Sequence, residues 1–459
     1  MSVRGPTSPM LLVYSFFAVA AIGALLLSLP VSSTESGFTP PVGAFFTSVS
    51  AMTGTGLIVF DTREAWTAFG QAVIAGLIFI GGLGFMTGAA FLLFITGRRS
   101  SLQGRLVVGA GLDDNRLGTI ASLARNIILM AIVIQIIGAI VIFVRWYFID
   151  PLWPGISIAE GLWQSVFTAV SAFNNSGFEI LPDKLIEGGG LLAAGGSLVG
   201  LSRDIPTLLI IGVMILAGST SYVVLANMVV VRGWHRLTLD TKLVLLGIGV
   251  LLLIGFVAFM TLEWTNPGTI GDDSVTSKLT QGVFHTVNRT SGFSTIEYSE
   301  LRSANLTVTE GMMFVGGASA STAGGIKVST FMVILITSFA VFSGRGRTTI
   351  FGREIPRVNV QRALAVAATA AAAVLLLVTA LFVVQPGLDF RSGIFEIVSA
   401  FGTVGWSAGA SSDLNQPAQI VVAVTMFVGR FGPLTIALFM AGRERQDPIR
   451  FATERIRIG

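Results

Sequence analysis

Four short segments of this chain read as near copies of one another: Ser50-Ala51-Met52-Thr53-Gly54-Thr55-Gly56, Ser171-Ala172-Phe173-Asn174-Asn175-Ser176-Gly177, Thr286-Val287-Asn288-Arg289-Thr290-Ser291-Gly292 and Ser399-Ala400-Phe401-Gly402-Thr403-Val404-Gly405. Their last glycines recur at intervals of roughly 113–121 residues, and each segment lies between two long apolar stretches. A recurring unit of this kind cannot bury its own apolar face and must pack against its neighbours. Four units carrying equivalent loops therefore point to closure around a common axis.

The solvent for most of this chain is lipid. Of 459 residues 53% are hydrophobic and only 12% charged, with a mean hydropathy of +0.79. That composition excludes soluble and disordered classes. There is no Cys, which excludes disulfides, thiol catalysis and Cys-ligated metals, and the two histidines, His235 and His285, are too few for a His-rich metal site. The first apolar stretch, Met10 to Leu29, has signal-peptide character but no clear cleavage site, and the repeat pattern needs it as a helix. Eight spans follow, at 10–29, 67–95, 119–147, 205–231, 241–263, 309–342, 359–384 and 417–441.

Eight spans put both termini on one side. That side, with the even-numbered connections, holds 18 Lys and Arg against 8 on the other. The positive-inside rule then predicts cytoplasmic termini, hence a multi-pass protein of a bacterial plasma membrane. Acidic residues divide oppositely, 18 outside and 7 inside. Outer acids raise the cation concentration at a pore mouth, and they also simply solvate loops.

Each repeat reads as a helix, a short re-entrant helix with its loop, and a second helix. The short stretches, such as Gly43 to Met52 and Ile394 to Phe401, are too short for roughly 30 Å of hydrocarbon at about 1.5 Å per residue. They must enter and return. Irregular backbone at that depth survives only where protein buries it or water lines it, which four loops meeting at an axis satisfy. The expected fold is an all-α polytopic membrane protein of four tandem helix–pore loop–helix repeats, with eight transmembrane helices and four re-entrant pore helices around a central pore. The repeats run 1–95, 96–231, 232–342 and 343–459, the last with a cytoplasmic C-terminal tail.

Two repeats depart from the pattern. Repeat two carries a Gly/Ala-rich insertion from Glu187 to Leu201, read as a flexible outer loop. The span at 309–342 would be about 51 Å long if straight, and its middle is the run Gly316-Gly317-Ala318-Ser319-Ala320-Ser321-Thr322-Ala323-Gly324-Gly325-Ile326-Lys327. Each Gly in a helix interior costs about 1 kcal/mol against Ala. A small-residue packing seam would explain the composition. The excess length and Lys327 favour a helix broken inside the membrane, a gate loop over 316–327 under the filter.

A carbonyl-lined filter replaces an ion's water shell with backbone oxygens. The residues read as lining it are Thr53, Gly54, Thr55, Gly56, Asn174, Asn175, Ser176, Gly177, Thr290, Ser291, Gly292, Gly402, Thr403, Val404 and Gly405. The glycine that closes each copy supplies the dihedral freedom such a turn needs. Thr403-Val404-Gly405 matches the start of a potassium-channel filter strand. The second glycine of that signature is missing: Ile58, Glu179, Ser294 and Ser407 stand there. A short filter with fewer sites and looser potassium-over-sodium discrimination is expected. Arg289 either braces the filter, by bonding loop carbonyls or an acid, or snorkels outward; a free cation in a cation pore argues for bracing. His285 reads as a packed helix residue. Glu179 faces either the mouth or water.

Aligned on the filter glycines, and with the insertion in repeat two removed, one position of the second helices reads Gly82, Gly218, Gly317 and Arg430. Charge at that depth is costly and faces a cavity. The expectation is that three glycines make room for the Arg430 guanidinium in the conduction path, as a barrier or latch; an ion pair to the broken loop is the structural alternative. The gate set is Arg430 with Gly316, Gly317, Ser319, Ser321, Thr322, Gly324, Gly325 and Lys327.

These residues resemble the Trk/Ktr/HKT superfamily of potassium transporters over nearly the whole chain. The four loops, the string Ser321-Thr322-Ala323-Gly324-Gly325-Ile326-Lys327 and Arg430 are similar to its filter loops, gate loop and pore arginine. The first filter begins too early for the extra amino-terminal helix pair of Trk-type subunits, so the chain is most similar to the Ktr-type membrane subunits. Trp406 and Gly54 depart from the usual residues. The resemblance implies a homodimer with one pore per protomer and a cytoplasmic ring of nucleotide-binding regulatory subunits (KtrA-like). No nucleotide motif occurs in this chain, and no nucleic acid or cofactor is expected beyond membrane lipids, potassium as substrate and sodium as an activator.

The leading reading is gated, channel-like potassium uptake, with sodium stimulation as an added expectation. A coupled potassium/sodium or potassium/proton symporter would need carboxylates within the spans, of which the sequence shows essentially none. An intramembrane enzyme lacks any Ser/His/Asp set, HExxH or paired acids.

Overall fold

The computed structural model describes residues 9–35, 37–96, 116–152, 155–181, 198–231 and 233–441, of which 9–12, 89–96, 116–121 and 433–441 are described by their backbone alone. The arginines at 4, 98, 99, 105 and 232, those beyond 442, the insertion up to residue 197 and the C-terminal tail lie outside the described residues.

The four units appear in chain order. Repeat one has α1 (Pro9–Ser28), the short α2 (Pro41–Thr53) and α3 (Ala68–Thr96). Repeat two has α4 (Arg116–Phe143), ending in a π-turn Val144–Ile149, the short α5 (Ile158–Phe173), and then α6 (Ile205–Ser219) and α7 (Tyr222–Val230). Repeat three has α8 (Leu239–Glu263), the short α9 (Val275–Val287), α10 (Ser303–Phe314) and α11 (Val328–Phe342). Repeat four has α12 (Arg357–Val384), the short α13 (Phe390–Gly402) and α14 (Gln416–Ala441).

Local signals start each short helix. Pro41 fills the first turn of α2, where its missing N–H costs nothing. Ser157 and Glu160 form a reciprocal capping box on α5. Ser274 caps α9, and Asp389 caps α13 by accepting from the Ser392 N–H. At 13, 16, 13 and 13 residues, each would cover only about 20–24 Å. All four end at the filter segments, so the negative ends of their dipoles point there.

Packing between repeats closes the set. Each short helix sits against the second helix of the preceding repeat: α5 on α3, α9 on α6, α13 on α10, and α2 on α14. The last contact joins repeat four back to repeat one. Outward, the long first helices present apolar side chains, among them Val133, Ile136, Ile137 and Ile140 on α4 and Leu375, Leu376 and Val383 on α12. Those surfaces suit hydrocarbon and no aqueous solvent.

Three features differ from the sequence reading. The span read over 205–231 is broken: α6 and α7 meet at 99° across Thr220-Ser221. The span read over 309–342 begins earlier, at Ser303; the break expected within it runs from Val315 to Lys327. A two-stranded antiparallel hairpin, Thr349–Ile350 with Arg353–Glu354, interrupts the all-helical plan between repeats three and four. Its turn places Phe351 and Gly352 at φ 51° and 71°.

Candidate functional site

The filter glycines meet in a ring. A methyl group placed on Gly56 would collide with the Ser176 carbonyl, one on Gly177 with the Gly292 backbone, and one on Gly405 with the Thr55 carbonyl and Gly56. On Gly292 it would lie 3.2 Å from the Val404 carbonyl and 3.3 Å from the Gly405 Cα. The order one, two, three, four and back to one is therefore closed by backbone contact alone. No Cβ fits at Gly56, Gly177 or Gly405 without moving backbone, and one at Gly292 would be tight.

Repeats one, two and four build their loops alike. Gly54, Asn175 and Thr403 are left-handed, at φ 64°, 54° and 48°, and the filter glycines two residues on are at φ 91°, 74° and 100°. In each, two N–H groups turn back to cap the short helix. Gly54 and Thr55 donate to Ala51 and Ser50, Asn175 and Ser176 to Ala172 and Ser171, and Thr403 and Val404 to Ala400 and Ser399, at 2.9–3.1 Å. These donors are thereby committed to the ends of the short helices. The Ser50 and Ser399 hydroxyls hold the loop further, accepting from the Gly56 and Gly405 N–H at 3.1 Å. Thr53 and Thr55 share a hydrogen bond of 2.7 Å between their hydroxyls.

Repeat three does not follow. Asn288–Thr290 forms a 3-10 turn, and Gly292 lies outside the positive-φ region that the sequence argument expects of all four. Its freedom of dihedral is not what the site uses; the tight approach of Gly177 and Gly405 is. Arg289 is buried, 3% exposed, and donates to the carbonyls of Val315 and Gly316. It ties the third filter loop to the start of the break in repeat three, and it does not reach the surface. The Thr290 hydroxyl meets Asn175 of repeat two, whose carboxamide, oriented to satisfy both ends, accepts from the Thr322 hydroxyl at 2.6 Å and donates to Thr290 at 3.1 Å.

Aromatic packing behind repeats three and four is a feature the sequence reading did not find. Trp406 is buried and donates its indole N–H to the Phe293 carbonyl at 2.9 Å. It stacks on His285, with centroids 5.0 Å apart and an interplanar angle of 8°, and on Tyr298 at 4.4 Å. Tyr298 in turn meets His285 Nδ1 at 3.0 Å. Residue type alone signals such a wall only once the loops are known to be adjacent.

Val315 to Lys327 lies across the end of the filter where the short helices terminate. Its two limbs pair with each other, Gly316 donating to Ile326 at 2.8 Å and Ile326 to Phe314 at 3.2 Å. Gly316 is pressed against the Gly324 carbonyl, where a Cβ would collide. The Thr322 hydroxyl, whose proton goes to Asn175, lies 3.3 Å from the Phe173 carbonyl, and the Gly324 N–H donates to Thr403 Oγ1 at 2.9 Å. Ala318 and Thr322 donate to the carbonyls of Ser219 and Gly218, at the break of repeat two, and Gly325 donates to Gly429 of repeat four. Ser319 bonds Ser329 at 3.4 Å, and Gly317 lies against Ser321 and Ser219. Gly325 is left-handed at φ 63°.

Arg430 is 1% exposed and donates to the Thr322 carbonyl. Its guanidinium lies 4.5 Å from the Phe85 ring centroid, a cation–π contact, and Lys327 reaches the same ring at 5.3 Å while donating to the Ala323 carbonyl at 2.7 Å. The bond to the loop is thus to a backbone oxygen and is no ion pair. The aligned glycines do not receive the guanidinium. Gly82 abuts the Asn174 side chain, Gly218 the Phe173 carbonyl, and Gly317 the Ser219 carbonyl. The Asn174 side chain and two backbone carbonyls occupy that space first.

Carboxylates within the membrane-embedded elements are more evident than the sequence suggested. Glu396 lies fully buried in α13, and Glu310 is half-buried in α10. Among the described residues, no cluster of three or more His, Asp or Glu side chains could hold a metal.

Comparison with known proteins agrees in one direction. The sequence profile described as TrkH, cation transport protein, matches residues 2–449. The Ktr system potassium uptake protein B of Bacillus subtilis is 37% identical over 97% of this chain and 95% of its own length. The potassium/sodium uptake protein NtpJ of Enterococcus hirae is 32% identical over 100% and 98%. In three dimensions, the crystal structure of the potassium transporter TrkH from Vibrio parahaemolyticus matches with a TM-score of 0.71 at 18% identity, covering 96% of this chain and 85% of that one, and it speaks to the fold alone.

Proposed function

The chain belongs to the TrkH family of cation transport proteins, and from that premise we propose that it carries potassium into the cell through a gated, channel-like pore. It is a multi-pass membrane transport protein of the Trk/Ktr superfamily and no enzyme. One observation carries the reading: the ring of Gly56, Gly177, Gly292 and Gly405, backbone against backbone, at the meeting point of four helix C-termini. Helix ends of that polarity favour cations, and backbone carbonyls of Thr53–Gly56, Asn174–Gly177, Thr290–Gly292 and Gly402–Gly405 supply oxygen ligands that suit an alkali ion.

The stretch 315–327 is the gate in this reading. It lies at the inner end of the filter, bonded to Asn175, Thr403 and Arg430. Arg430 latches it shut by its bond to Thr322 and holds positive charge at the conduction path. Opening requires the loop to leave those partners, so this arrangement is the closed one. Both termini lie in the cytoplasm, the protein is a homodimer with one pore per protomer, and regulation comes from a KtrA-like ring of nucleotide-binding subunits. Sodium acts as stimulator. The support for these points is charge distribution, the kinship with Ktr subunits, and the naming of one relative for both potassium and sodium.

A second reading, coupled symport with sodium or protons, draws on Glu310 and Glu396 inside the membrane-embedded elements. Reversal potentials separate the two. Channel-like uptake makes the reversal follow the potassium gradient alone, whereas coupling makes it move with sodium or pH. The proposal itself is tested by flux into liposomes holding the purified protein, comparing potassium, rubidium and sodium with a Gly405→Ser control. Potassium and rubidium passing faster than sodium, with the preference lost in the variant, supports it. Equal flux of all three through the unaltered protein contradicts it.

A further inference from the structure

Behind the fourth filter loop lies a carboxylate that the conduction path does not use. Glu396 is 0% exposed and sits in the middle of α13, nine residues before Gly405. Its two oxygens are taken by two neutral hydroxyls: Ser407 donates to Oε2 at 2.7 Å, and Ser411 donates to Oε1. The Ser411 N–H donates back to Ser407 Oγ at 3.2 Å, closing a small bracket around the carboxylate. Gly409, at φ 91°, makes the turn between the two serines. Among the described residues Glu396 enters no ion pair. A buried carboxyl group is costly to leave without partners, and here both of its oxygens have one.

The placement of Ser407 gives this bracket a purpose. Ser407 is the second residue after Gly405, the position at which a second filter glycine would let the backbone turn another carbonyl to the axis. Here that residue is drawn back toward Glu396, away from the ring. The residue between them, Trp406, is pinned the other way, to the Phe293 carbonyl of repeat three. The outer end of the fourth loop is therefore fixed at adjacent residues by two side chains pulling toward different repeats. The other repeats hold Thr47, Thr168 and Val283 at the position of Glu396, so none can provide the same bracket.

We propose that Glu396 is a positioning residue for ion selectivity: by bridging Ser407 and Ser411 it sets where the backbone after Gly405 leaves the axis, and so fixes the spacing of the Val404 and Gly405 carbonyls that discriminate between alkali cations. This rests on the ion-conducting reading of the ring. Selectivity depends on carbonyl position and field far more steeply than total flux does. A role in stability alone would lower protein yield and melting temperature while leaving the ratio of ions unchanged.

The experiment is the potassium-to-sodium permeability ratio of the full chain in liposomes, read from reversal potentials, for the unaltered protein, Glu396→Gln, Glu396→Asp and the double variant Ser407→Ala with Ser411→Ala. Losing one or both of these buried bonds should lower the ratio about tenfold in Glu396→Gln and in the double variant, since leaving a buried partner unsatisfied is of the size that shifts an equilibrium tenfold. Glu396→Asp, shorter but still a carboxyl group, should recover part of it. If Glu396→Gln does not fold, the double variant decides, because it leaves α13 intact. Unchanged ratios in a folded Glu396→Gln or in the double variant overturn this inference and leave the transport reading standing. An unaltered protein that does not discriminate among cations overturns both.

Discussion

A methyl group at Gly177 would run into the Gly292 backbone while also being held at φ 74°. Left-handed backbone costs a residue with a Cβ about 1–2 kcal/mol before any collision is counted. Gly177→Ala should therefore abolish cation flux at protein levels near normal, measured by flux per reconstituted protein; flux within about twofold of the unaltered protein would mean that the ring opens more easily than its contacts imply. Trp406→Phe keeps an aromatic face toward His285 but leaves the Phe293 carbonyl without its indole donor. It should lower stability by about 1–3 kcal/mol, read as thermal unfolding in detergent. The glycines were legible in the sequence because the same residue recurs at one position of all four copies. The wall of Trp406, His285 and Tyr298 was not, since nothing along the chain says that residues 285, 298 and 406 share a surface.

Among elements, the short helices owe their starts to caps visible in the sequence. Asp389 is an exposed example. The N–H of Ser392, then its hydroxyl, accepted by the Asp389 carboxylate, hold its pKa below the usual carboxylate value. A depressed folded pKa contributes stability that is present above the unfolded value and is lost as pH falls through the folded one. Asp389→Asn should thus lower the melting temperature at neutral pH and make no difference in strong acid, where both proteins lack the charge. The break at 315–327 could be read from excess length and a Gly/Ser run. The break at Thr220-Ser221 could not: α6, α7 and the break together are the length of an ordinary tilted span, so length gave no warning. The two breaks touch, at Ala318 and Thr322 on one side and Ser219 and Gly218 on the other, so the 315–327 loop is seated on a second bend. Arg430→Ala removes the bond to Thr322 and the charge beside Phe85. It should raise basal potassium flux by about tenfold or more, the equilibrium weight of roughly 1.4 kcal/mol. Flux at the unaltered level in single-channel or liposome assays would show that Arg430 is not the latch.

For the whole molecule, fourfold equivalence explains where the loops meet, and the departures from it are where the proposed gate lies. Three filter copies share one backbone shape; the third replaces it with a 3-10 turn and a buried arginine. Second helices are continuous in repeats one and four and broken in two and three. The ring closes because every short helix packs on the repeat before it, which the internal repetition of the sequence implied without giving the order of contacts. The charge asymmetry that predicts cytoplasmic termini rests in large part on residues at 98–105 and beyond 442, outside the described residues. The central claim is that the ion passes where Gly56, Gly177, Gly292 and Gly405 meet. Thallium, a heavy stand-in for potassium, would report this directly as anomalous density in crystals of the protein grown with thallium in place of potassium. The account predicts a peak on the axis of the four loops, within bonding distance of carbonyls from all four repeats, and weakened in Gly405→Ser. A strong peak elsewhere in the membrane region, with none at the ring, would contradict it.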